Sequence, residues 1–196
     1  MFGIEEFKED LDRYFYLAKA SSLWAKMKIV LLTQGIWALL VYRVGHYVNS
    51  KKWNVLVRKP ALALCLISQK LIEIICGISI SYSAQIGKGL YIGHFGGIFI
   101  HGDVKIGECC NISQGVSIGL GGRGKKIGCP TIGDRVYVGP HAVILGKIEI
   151  GNDVAIGANA VVTKSMPDNA VVVGVPAKII SSESGKDFVI FRQKGA

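Results

Sequence analysis

The stretch TIGDRVYVGPHAVILGKIEIGNDVAIGANAVV, residues 131–162, sets an aliphatic side chain at every sixth position: Ile132, Val138, Ile144, Ile150, Ile156 and Val162. Glycine follows four of them, at Gly133, Gly139, Gly151 and Gly157. A small or apolar residue precedes several by two, as at Val136, Ala142, Val154 and Ala160. One face of an α-helix cannot hold a period of six, because 3.6 residues per turn does not divide it. A prism of short strands can, since each six-residue segment points its aliphatic residue inward and turns at a corner. The same frame runs upstream through Ile106, Ile112 and Ile118, and before that through Ile86, Ile92 and Ile98. Stacked coils then bury an aliphatic column that no single coil buries alone. The period predicts a parallel β-helix.

Two breaks interrupt the frame. Eight residues replace six between Ile98 and Ile106, and fourteen replace twelve between Ile118 and Ile132. The second break, GLGGRGKKIGCPT at 119–131, is glycine-rich and basic and predicts a loop leaving the prism. Insertions in a solenoid tend to collect on its binding face.

Outward from the repeat, the composition changes near residue 78. Residues 1–78 hold twelve Leu and four Gly, and residues 79–196 hold three Leu and twenty-one Gly. The second part also holds seventeen Ile and thirteen Val, β-branched residues suited to strands. The expected organisation is a helical region 1–78, a β-helix 79–180 with the loop 119–131, and a tail 181–196. Three helices are expected: 4–20, acidic at its start; 22–48, with Ile36, Leu39, Leu40, Val44 and Tyr47 on one face; and a third beginning after Pro60 and ending near Ile75. The longest uncharged run, Ile29 to Tyr42, is fourteen residues. Spanning a bilayer takes about 20, so no span is expected. The acids at Glu5, Glu6, Glu9, Asp10 and Asp12 argue against a cleavable leader, and five Cys suit a reduced, cytoplasmic chain.

Several segments together carry a family resemblance: the repeats, GHFGGIFIHGDVKIG at 93–107, SIGLGGRG at 117–124, TKSMPDNAVVVGVPAK at 163–178 and ALLVYRVGHYV at 38–48. The chain resembles the serine acetyltransferases over about residues 30–180. The resemblance implies a left-handed β-helix assembled as a homotrimer, with acetyl-CoA in the groove between prisms. It implies His94 as general base, taking a hydroxyl proton during attack on the thioester and returning it to the CoA sulfur. It further implies cofactor contacts at Gly121, Gly122, Ala158, Thr163, Lys164 and Lys178. Gly93, His101 and Cys129 are the acceptor-site candidates, with His101 in the first frame break.

At positions where the family holds its amino-acid substrate with charged groups, this chain has Gly93, Gly128 and Cys129. Ser79 stands near the family's histidine-orienting acid. A zwitterionic acceptor needs a carboxylate and a cation. These departures, with Cys129-Pro130 in the loop and an apolar, basic N-terminal region, resemble the subgroup that acetylates sugars in surface-polysaccharide synthesis. The first expectation is therefore acetyl transfer to a sugar hydroxyl. Serine O-acetylation and a non-catalytic trimeric scaffold are the alternatives. The net charge of +9 suits CoA phosphates or an anionic membrane surface. No recognition helix or aromatic-interleaved basic stretch points to nucleic acid. Histidines 94, 101 and 141 lack the spacing of the β-helix metalloenzymes, so no metal is expected. His46 reads as a packing residue, Cys65, Cys76 and Cys110 as core, and Cys129 as no acyl nucleophile.

Overall fold

The computed structural model describes residues 2–124 and 127–190. Four helices precede the β-helix: α1 (Phe2–Leu17), α2 (Leu23–Leu32), α3 (Gln34–Ser50) and α4 (Val55–Cys76). The single helix expected over 22–48 is broken at Thr33, where extended backbone turns α2 away from α3 by 79°. The last expected helix starts five residues before Pro60, because Asn54 caps it by accepting from the Leu56 N–H at 3.0 Å. Gly77, at φ +63°, closes α4 and passes the chain into the first strand.

The prism has three parallel faces. Face one stacks β1 (Ile78–Ile80), β4 (Ile98–Ile100), β7 (Ser117–Gly119), β10 (Val143–Leu145) and β13 (Val161–Val162). Face two stacks β2 (Gln85–Ile86), β5 (Lys105–Ile106), β8 (Thr131–Ile132) and β11 (Glu149–Ile150). Face three stacks β3 (Tyr91–Ile92), β6 (Asn111–Ile112), β9 (Tyr137–Val138), β12 (Ala155–Ile156) and β14 (Val171–Val173), and β15 (Lys178–Ser181) closes it antiparallel. The aliphatic residues of the repeat form the core. Ile92, Ile118, Ile144, Ile156 and Val162 are fully buried. Coil spacing is tight enough that a Cβ on Gly133 would meet the Gly151 carbonyl at 2.8 Å, which explains glycine after the aliphatic position.

Register relocates the first frame break and resizes the second. Ser79 pairs with Phe99, twenty residues on, whereas Phe99 pairs with Ser117, eighteen on. The two extra residues of the first coil therefore lie between Ile92 and Ile100, in the corner Gly93–Gly97, and not at His101. Ile98 and Ile100 both point inward around Phe99, which disguised the position in the one-dimensional count. Ser117 pairs with Val143, twenty-six on, so the loop is eight residues longer than a regular corner. A shift of eight looks like a shift of two when counted in sixes.

The N-terminal helices and the tail position the prism. Tyr14 of α1 both donates to and accepts from the Ile92 backbone, at 3.0 and 2.9 Å, and Arg13 donates to Cys110 O at 2.9 Å. Phe188 stacks on Tyr137 with centroids 5.2 Å apart. Face three is thereby covered. α3 caps the first coil, with Gly35 close against Ile92 and Tyr42 donating to Ala84 O at 2.8 Å. Arg43 is buried there and bonds Asp10 of α1. The acids of α1 thus include one that is a buried structural partner rather than a solvated complement to the helix dipole.

Between faces two and three, Arg135 binds Asp153 through two 2.7 Å bonds across successive coils. These hydrogen bonds hold the Asp153 carboxyl below the usual carboxylate range. Its stabilisation is complete above the unfolded pKa of about 3.9 and is lost as pH falls through the lower folded value. Asp153→Asn keeps a residue that tolerates the left-handed backbone found there, φ +56°. The substitution is expected to cost about 1–2 kcal/mol at neutral pH, since Arg135 is partly solvated. The acid limb of melting temperature against pH should flatten in the variant; an unchanged limb would rule the pairing out as a source of acid sensitivity.

Candidate active site

His94 sits on the bulged corner between faces three and one, exposed to solvent, beside Phe95, which is also exposed. Gly96 and Gly97 fold the extra residues back, with φ of +98° and +67°, values that side chains other than glycine rarely adopt. Gly93 is half-buried against the Tyr91 ring. Ala158, a cofactor candidate, lies exposed on the same edge three coils further along.

The other candidates line the opposite edge, between faces one and two. His101 Nδ1 lies 3.3 Å from Cys129 Sγ and accepts from the Asp103 N–H at 3.2 Å. Accepting through Nδ1 places the ring proton on Nε2, which is left as a donor. The donor atoms of His101, Asp103 and Cys129 lie within 4.8 Å of one another. Burial and the Asp103 carboxylate raise the Cys129 thiol pKa, which disfavours a thiolate nucleophile. Lys125 and Lys126, near Cys129 in sequence, lie outside the described residues. Gly121 and Gly128 bridge to each other at 3.0 and 3.1 Å, pinching the base of the loop. Gly122, at φ +99°, is exposed beyond that bridge, and Thr163 and Lys164 are exposed two coils along the same edge. Lys178 follows Ala177, whose N–H bonds Val161 O at 2.9 Å, so it stands at the open end of the prism.

One functional group escaped the sequence reading. Ser79 Oγ donates to Glu73 Oε1 at 2.8 Å, and Gln69 donates to the same oxygen at 3.1 Å. Burial works to raise the Glu73 pKa, but hydrogen bonds from Lys70 and Ser79 outweigh it and hold the carboxyl below its ordinary range. A carboxylate therefore stands at the Ser79 position, supplied by α4. A signal was available, because Glu73 is the sole acid between Asp12 and Asp103. On the opposite edge the exposed Lys147 packs the stem of its side chain against Gly128. His46 is the packing residue expected, its Nδ1 2.7 Å from Tyr82 O. Cys65, Cys76 and Cys110 are buried as read.

The two sets of residues flank face one from opposite edges. The outer row of that face, in register, is Ser79, Phe99, Ser117, Val143 and Val161, whereas face two shows Gln85, Lys105, Thr131 and Glu149. Face two is polar and face three is covered; face one is largely apolar. Two open depressions on face two, of about 590 and 390 Å³, contain none of the predicted site residues.

Residues 129–164 match the family described as bacterial transferase hexapeptide (six repeats). The serine acetyltransferase of Helicobacter pylori strain J99 is 40% identical over 158 residues, covering 81% of this chain and 88% of that protein. The crystal structure of serine acetyltransferase from Brucella abortus strain S19 superposes with a TM-score of 0.76 at 27% identity, covering 92% of this chain and 70% of that one. The Neisseria gonorrhoeae serine acetyltransferase in complex with serine gives a TM-score of 0.73 at 29% identity, covering 91% and 69%. These relatives lend nothing to the polysaccharide subgroup that the sequence reading put first. Forty per cent identity over most of both chains, with the prism and its helical cap in common, settles the membership: the chain belongs to the serine acetyltransferase family of hexapeptide-repeat acyltransferases, which use acetyl-CoA.

Proposed function

We propose that the protein transfers acetyl from acetyl-CoA to the side-chain hydroxyl of L-serine, at a site assembled between protomers of a trimer. The observation carrying this reading is the 40% identity to a serine acetyltransferase across 88% of its length. We read charged groups elsewhere around face one as substitutes for the partners missing at Gly93, Gly128 and Cys129. Glu73 offers a carboxylate for the substrate ammonium; Lys147 and the His101 Nε2–H offer donors for its carboxylate. His94 removes the hydroxyl proton as oxygen attacks the thioester carbon, and returns it to the departing CoA sulfur. Gly121 and Gly122 let the cosubstrate approach backbone, and Thr163 and Lys164 contact it further along the same edge.

Assembly follows from placement. His94 and the loop are on opposite edges of face one, and that face carries the apolar row. Packing it against the neighbouring prism brings one protomer's His94 to the other's loop.

The test follows free thiol released from acetyl-CoA with L-serine and with a panel of sugar and glycan acceptors. Turnover with L-serine above every sugar is expected. Turnover with a glycan and none with serine would return the sugar reading. CoA binding is expected as well; its absence, together with no turnover, would leave a scaffold.

A further inference from the structure

Helix α2 is apolar on the wrong side for a helix facing water. Its sequence is LWAKMKIVLL, and none of its residues is buried. Ile29 and Val30 turn towards the core, and Lys26 lies 5.4 Å from the Phe15 ring of α1. The opposite side presents Leu23, Trp24, Met27 and Leu31, which are 74, 79, 44 and 63% exposed, with Lys28 also exposed. Those positions fall on one stripe at helical spacing, so the helix is apolar on its outer face as well as its inner one.

Along the chain, the charges flanking this stripe have a single sign, with Arg13 and Arg43 buried in bonds to Cys110 O and Asp10. Residues 13–72 contain ten Lys and Arg and no Asp or Glu. Lys19, Lys26 and Lys28 lie within a few residues of the stripe.

Together these observations select the partner. A second copy pairing through the same stripe would set lysines against lysines, with no acid in the segment to relieve them. An anionic lipid surface supplies both complements: hydrocarbon for the stripe and phosphate charge for the lysines. Tryptophan beside leucines and lysines is the composition of an interfacial helix. The helix lies in the surface and does not cross it. Ten residues extend about 15 Å, half a hydrocarbon core. Nor can α3 lengthen it into a span, because α3 is tied to the first coil through Tyr42 and Arg43 and leaves α2 at 79°.

We propose that the outer stripe of α2 docks the protein on a membrane surface bearing anionic lipids. The proposal is independent of the acceptor, since no residue of α2 is in the candidate active site.

The experiment uses the full chain with vesicles of phosphatidylcholine alone and of phosphatidylcholine mixed with phosphatidylglycerol. Co-sedimentation is read at low and high salt, with tryptophan emission alongside. The wild type is expected to bind the mixed vesicles, to release with salt, and to shift its emission to the blue. Leu31→Glu and Trp24→Glu should weaken binding at least about tenfold, as expected for a charge placed in an apolar contact. Both positions are exposed, so melting curves should match the wild type. No binding to mixed vesicles, or equal binding by the variants, overturns the proposal. A smaller assembly for either variant in sedimentation velocity without lipid also overturns it, by identifying the occupant as a second copy.

Discussion

His94→Ala is expected to lower kcat for acetyl transfer by about 10²–10⁴-fold, the usual contribution of a positioned general base. The Michaelis constant for acetyl-CoA should hardly change, because the substitution leaves the proposed cosubstrate contacts at Gly121, Gly122, Ala158, Thr163 and Lys164 intact. His94 is exposed, so unfolding stability should stay within about 0.5 kcal/mol of wild type. A loss of activity with unchanged melting is the signature of chemistry rather than of structure. The inter-protomer site adds a second readout. Subunits carrying His94→Ala have an intact loop edge, and subunits carrying Gly122→Trp have an intact histidine. Each is expected to be inactive alone. Refolded as a mixture, some trimers join an intact histidine edge to an intact loop edge, and activity should return. Full activity of His94→Ala would remove the base assignment, and a mixture as inactive as its parents would remove the shared site.

The repeat was legible because every coil restates it. Three inward columns, one to each face, cannot be mistaken once Ile86 to Val162 are counted, and the core contains those residues. The corners were less legible. Counting in sixes detects an insertion only as a remainder, so the eight-residue loop excess looked like two. The two-residue excess at His94 was assigned to His101, because Ile98 keeps the frame while Ile100 restarts it. Only pairing between coils fixes which corner bulges. The carboxylate of Glu73 was missed for another reason. It comes from the end of a helix rather than from the strand position where Ser79 stands, and residue-by-residue matching looks only at the latter. The departures at Gly128 and Cys129 were read as missing charges, when Lys147 stands beside the first and Asp103 beside the second. Cys65, Cys76, Cys110 and His46, whose packing depends only on register or on the apolar face of a helix, were read correctly.

Arg43→Leu is expected to destabilise the protein by about 3–5 kcal/mol, the cost of leaving one member of a buried ion pair without its partner. Its guanidinium is 1% exposed and bonds Asp10 through Nε and Nη2 at 2.9 and 3.1 Å. It also donates to Ile86 O and Gly87 O, both at 2.7 Å. Asp10 is fully buried and accepts in turn from the Leu90 N–H at 3.0 Å. Three elements therefore meet on one side chain: α1, α3 and the first coil. The open end of a solenoid has carbonyls with no further coil to bond, and Arg43 is what satisfies two of them. Leucine restores the apolar volume but strands a carboxylate and both carbonyls. A single domain of this size has about 5–15 kcal/mol to lose, so the variant should unfold at much lower urea. Arg43→Lys keeps the charge without the planar fork and should fall between the two. The double variant Asp10→Leu, Arg43→Leu removes the stranded charge and should be more stable than Arg43→Leu alone. That reversal separates an ion pair from simple packing, because two independent packing losses would add. Urea unfolding at fixed protein concentration measures all four proteins. A double variant less stable than Arg43→Leu would mean that Arg43 acts through packing and its carbonyl bonds, with Asp10 incidental.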